Sequence, residues 1–166
     1  MSELSKGRLA AGIGGVLLIL SLFLSWYGLK IPDSLAQLSG VTGIDTSVSG
    51  WTALGPGDLF LFLVGLIAIF PAVIELFGLE IELPIPLGTA VIGATGLGLL
   101  YIVFRLIDPP GPSSAIGIKY GIIVAVVGGV VAAVGGWLIM QEDESVVSAD
   151  APLAPMPPAP PVPPAV

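Results

Sequence analysis

Four stretches of the chain, residues 9–29, 59–74, 87–104 and 120–141, hold no charged side chain. Nothing else in the sequence limits the fold as strongly. A helix crosses bilayer hydrocarbon in about 20 apolar residues, with a range of about 17–25. Soluble domains carry about 25% charged residues, and this chain has 10%. The runs predict an all-α membrane protein, an antiparallel four-helix transmembrane bundle. Helices are expected near 8–29, 58–78, 86–107 and 116–140. One transmembrane domain then covers 1–140, with a single long outer loop at 30–56. Residues 141–166 start acidic and become proline-rich, and half of the last sixteen residues are proline. That composition predicts an extended, disordered C-terminal tail.

The first run is too long for a signal-peptide core and lacks a small-x-small cleavage site near Ser25, so it is read as a retained helix. Asp58 follows Gly55-Pro56-Gly57 and is expected to cap the second helix. Pro71 falls inside that helix and is expected to kink it. On the fourth run Gly117, Gly121, Gly128 and Gly135 form a smooth stripe, as helices need where their backbones approach closely. The stripe serves either packing within the bundle or a homo-oligomer seam. Trp26, Tyr27, Trp51 and Trp137 sit near the ends of apolar runs, where aromatic rings anchor at the membrane–water interface.

Arg105 is the unusual residue. It lies about one helical turn inside the end of the third run, and Asp108, Pro109 and Pro110 follow it. A guanidinium in hydrocarbon costs about 3 kcal/mol or more at mid-depth, so it snorkels or pairs with a carboxylate. Ala90, Ala94, Gly98, Tyr101 and Arg105 recur at helical spacing, which turns Arg105 toward other helices. In an antiparallel arrangement Asp58 reaches a similar depth. The expectation is a structural ion pair of Arg105 with Asp58, Asp108 or both, beneath Trp26, Tyr27 and Trp51.

The chain has no cysteine and no histidine. Disulfides, thiol chemistry and imidazole or thiolate metal sites are therefore excluded, and no cofactor is read. A net charge of −7 with five basic residues argues against nucleic acid. Lys6 and Arg8 precede the first helix and Lys30 follows it, which places both termini in the cytoplasm.

Three local patterns occur together: Phe23-Leu24-Ser25-Trp26-Tyr27, Gly50-Trp51-Thr52-Ala53 with Asp58, and Arg105-Leu-Ile-Asp-Pro-Pro110. On these, residues 8–140 resemble small uncharacterised four-helix integral membrane proteins of high-GC Gram-positive bacteria. In that group the first helix often ends Leu-Pro-Trp-Tyr, and here Ser25 replaces the proline. The resemblance implies a bacterial cytoplasmic membrane and no established activity.

The functional expectation is a non-enzymatic scaffold or accessory subunit. It would sit in the lipid bilayer and present the outer loop and the proline-rich tail to protein partners, alone or as a homo-oligomer. The tail spacings Pro155/Pro158 and Pro160/Pro163 fit aromatic grooves of the PxxP-binding kind. The alternative is a small transporter or channel with a polar path near Arg105, Asp58 and Tyr101. An enzyme is disfavoured, because no acid pair or Ser/Lys pair is placed for catalysis.

Overall fold

The structure is a computed structural model that describes residues 5–29, 47–53, 55–79, 81, 84–109 and 116–149, with side chains as far as Ser145. Residues 30–46, 110–115 and 150–166, which hold most of the expected outer loop, the link before the fourth helix and most of the expected tail, lie outside the described residues. In chain order the elements are α1 (Lys6–Phe23), β1 (Ser25–Leu29), β2 (Ser47–Ser49), α2 (Gly50–Ala53), α3 (Pro56–Phe77), α4 (Leu87–Ile107), β3 (Ile116–Ile118) and α5 (Tyr120–Ala149). Among the described residues four helices are long and apolar enough to cross a membrane: Lys6–Phe23, Pro56–Phe77, Leu87–Ile107 and the Tyr120–Ser145 part of α5.

Helix α1 starts where the Ser5 hydroxyl accepts the Arg8 N–H at 3.2 Å, an N-cap. It ends at Phe23 and not at residue 29, because Leu24 turns extended. The Leu24 N–H and the Trp26 indole N–H both donate to the Ser21 carbonyl, at 3.1 and 2.7 Å, which satisfies a freed helix-end acceptor. Aromatic Trp26 and Tyr27 favour strand, and β1 becomes the centre of an antiparallel sheet in the order β2-β1-β3. This sheet is an addition to the all-helical expectation. Strand β2 and the short α2 occupy part of the stretch expected to be irregular loop.

The fourth apolar run divides differently from its expected 116–140. Residues 116–118 pair with β1, with Gly117 opposite Gly28, and the helix begins only at Tyr120. It then continues to Ala149, nine residues into the segment expected to be extended. No glycine or proline interrupts 141–149, and glutamates are good helix formers. The Ser145 hydroxyl also donates to the Glu142 carbonyl at 2.7 Å.

Helix α3 begins at Pro56, with Gly55 as the capping residue at φ 59°, ψ −122°. Asp58 is therefore in the first turn and is not the N-cap. The helix runs through Pro71, which is fully buried. It stops at Gly78, left-handed at φ 61°, where the Gly78 and Leu79 N–H groups return to the Glu75 and Ile74 carbonyls. Helix α4 keeps nearly its expected bounds.

Glycines set which helices meet. Gly14 lies against the Ala132 and Gly128 backbone, and Gly135 against Ala11. The Gly7 position faces Ile139. Together these make a close α1–α5 seam. A Cβ at Gly15 would stand 2.6 Å from the Gly65 carbonyl, and one at Gly12 2.9 Å from Ala72, which joins α1 to α3. A Cβ at Gly88 would stand 2.8 Å from the Gly136 carbonyl, joining α4 to α5, and one at Gly98 3.1 Å from Val64, joining α3 to α4. One buried cluster, around Leu18, Leu22, Trp26, Leu61, Ile102 and Ile122, underlies the sheet. A second, around Ala11, Ala68, Val91, Ala132 and Ile139, fills the other end.

Candidate functional site

The polar groups singled out by the sequence gather under the sheet, where β1, α2, the start of α3 and the end of α4 converge. Arg105 is half-buried on the last turn of α4. Its Nη2 donates to the Ala53 carbonyl of α2 at 3.1 Å. Its own carbonyl accepts the Tyr27 hydroxyl of β1 at 3.0 Å. One residue thus ties three elements together, and a charged donor on a carbonyl is among the stronger hydrogen bonds. One turn earlier on α4, Tyr101 places its hydroxyl over Gly57, in a space that only a residue without Cβ leaves open. The Tyr101 ring packs edge-on against Phe60 at 5.7 Å.

The expected ion pair is not formed. A salt bridge instead joins Arg8 to Glu75, at 3.7 Å, at the other end of the helices. Asp58 is buried, and its Oδ1 has no hydrogen-bond partner among the described residues; the same holds for Arg105 Nε. Asp58 sits in the first turn of α3, where the helix dipole favours an anion without a cation beside it. Asp108 is exposed at the end of α4, and its N–H returns to the Phe104 carbonyl at 2.8 Å. Arg105 takes a carbonyl in place of either carboxylate because α2 folds directly over it.

Burial raises the Tyr27 hydroxyl pKa above its ordinary value; the nearby Arg105 charge lowers it in part, and Tyr101 adds a smaller upward push. Trp26 and Tyr27 are core residues here, 0% and 3% exposed, which corrects their reading as interface anchors. The Trp26 indole fills a slot walled by Gly50 and Gly121, whose Cβ positions would lie 2.7 and 2.6 Å from it. Trp51 and Trp137 do face outward, at 46% and 55% exposure. Trp51 stacks on Phe23 at 5.8 Å and 6°. Of the glycine stripe, Gly121, Gly128 and Gly135 pack within the chain against β1 and α1, while Gly117 belongs to β3.

At the opposite end lie contacts the sequence did not reveal. Both Glu75 carboxylate oxygens accept the Ser5 N–H, at 3.1 and 3.2 Å, and Glu142 accepts the Gly7 N–H at 3.2 Å. The only sequence signal for them is a serine three residues before Arg8 at a helix start. Among the described residues the buried hydroxyls are Ser21, in the last turn of α1, and Thr95, midway along α4. Each is spent on a carbonyl of its own helix, at 2.6 Å. Among the described residues no three carboxylates converge as metal ligands would. Comparison with protein-family models, with curated proteins and with solved structures finds no match to this chain.

Proposed function

We propose that the chain is an integral protein of a bacterial cytoplasmic membrane, an antiparallel four-helix transmembrane bundle with both termini in the cytoplasm, and that it acts as a non-enzymatic scaffold. It would present the sheet and the 30–46 segment outside, and residues 150–166 inside, to protein partners. The observation that carries this reading is the close, apolar helix packing among the described residues. Glycine seams bring helix backbones into contact, as at Gly15 and the Gly65 carbonyl. The two buried clusters are apolar, and the buried hydroxyls of Ser21 and Thr95 are already bonded. A solute path needs polar groups free to replace water along the pore.

The test is purification from membranes of the full chain and of a chain ending at residue 149. A protein that co-purifies with the first and not the second supports the scaffold. Equal association by both removes the tail from the proposal. The transporter reading draws on Asp58 Oδ1 and Arg105 Nε, which are buried without partners among the described residues. Solute flux in proteoliposomes that is abolished by Asp58→Asn and Arg105→Met would favour it over the scaffold.

A further inference from the structure

The start of α1 is held by carboxylates that belong to two other helices. The first N–H groups of a helix have no partners within it and form its positive end. Here Ser5 N–H points at both oxygens of Glu75, from the last turn of α3, at 3.1 and 3.2 Å. Gly7 N–H points at Glu142 Oε1 of α5, at 3.2 Å. Arg8 Nη1 adds an ion pair to Glu75 at 3.7 Å, between side chains 28% and 16% exposed. The charged groups facing this junction can be named by element. From α1 they are Lys6 and Arg8, from α3 Glu75, and from α5 Glu142, with Asp143 and Glu144 just beyond. Helix α4 brings none, since its one charged residue, Arg105, is at the far end. Residues 1–4, 80, 82 and 83 lie outside the described residues.

We infer that these contacts form an acid-sensitive latch. In the ionised form Glu75 and Glu142 bind the first turn of α1 to the end of α3 and to the part of α5 that runs past the apolar span. Protonation removes the ion pair with Arg8, the attraction to the helix dipole and the charge that strengthens both N–H bonds. The first turn of α1 and residues 141–149 then open to solvent. The opening stops at the glycine seam beyond the first turn, because Gly14 against Ala132 and Gly135 against Ala11 carry no titratable group. The latch rests on contacts within the chain and stands whether or not residues 150–166 bind a partner.

Amide hydrogen exchange of the full chain in lipid nanodiscs tests it. Protection factors, corrected for intrinsic rate, are compared at about pH 7 and about pH 3.5, since acid protonates carboxylates that are paired in the native state. Protection of the Ser5 and Gly7 amides is expected to fall by about fivefold at the lower pH, the size of one lost capping bond, while residues 14–18 keep theirs. In Glu75→Gln/Glu142→Gln, protection at the first turn is expected to be low already at neutral pH and to stay there. Should the double variant lose protection along all of α1, Glu142→Gln alone carries the test, with the Gly7 amide as reporter. Protection in the wild type that ignores pH overturns the latch. So does a fall that survives the substitutions, or one that spreads through residues 14–18.

Discussion

Tyr27 is buried, and its hydroxyl donates to the Arg105 carbonyl at 3.0 Å. Burial, the largest influence, favours its neutral form and outweighs the opposing charge of Arg105. Because the folded state holds the proton more tightly than the unfolded chain, stability is fully present below the ordinary tyrosine pKa of about 10. It is lost as the pH rises from there through the raised value. An ultraviolet titration of tyrosinate should show one late component that Tyr27→Phe abolishes, and alkaline unfolding should shift with it. A titration unchanged by the substitution would contradict this placement of the ring. Arg105 was legible as a residue needing a partner, since hydrocarbon demands one. Which partner was not legible. The Ala53 carbonyl carries no signature in sequence, and it reaches Arg105 only because α2 follows β2 and β2 pairs with β1. Trp26 was misplaced for the same reason. Its slot is walled by Gly50 and Gly121, residues far apart in the chain that only the sheet brings together.

At the scale of elements, glycine decides more than hydropathy does. Gly135 lies so close to the Ala11 backbone that a side chain there must push two helices apart. Gly135→Leu is expected to cost about 1–3 kcal/mol or more, the range of overpacked cores, read as a fall in unfolding midpoint in detergent. Gly93 on α4 is the control. Nothing stands within 4 Å of its Cβ position, so Gly93→Leu should leave the midpoint nearly unchanged. Equal effects at the two sites would count against the α1–α5 seam. Helix existence was readable from the uncharged runs, and α4 was placed almost to the residue because Pro86 and Asp108 bound it. The ends of α1 and α5 were not. A run such as Ser25-Trp26-Tyr27-Gly28-Leu29 is apolar enough for either helix or strand, and pairing with distant residues chose strand. The extension of α5 past Met140 was hidden by charge, which ends an apolar run without ending a helix.

For the whole molecule, the proposed topology makes a simple statement about sides. Ser5, Glu75 and Glu142 belong to one face, while Ser47 and Lys119 belong to the other. The natural chain has no cysteine, so single substitutions report cleanly. In intact cells Ser47→Cys should react with a membrane-impermeant maleimide, and Ser145→Cys should react only after lysis. The reverse pattern inverts the orientation, and labelling of both before lysis is incompatible with the membrane reading itself.

The position of β1 at the centre of the sheet has a bearing on biogenesis. Its two neighbours are encoded later in the chain, one on each side of α3 and α4, so the middle strand waits unpaired while they are synthesised. In the proposed topology β3 reaches the outer surface only after α4 has crossed. Until then the Trp26 slot lacks its Gly121 wall. A ribosome stalled before residue 121 would therefore leave an outer cap half built, with an indole exposed, and a translocating cell has a recognisable mark of an unfinished chain.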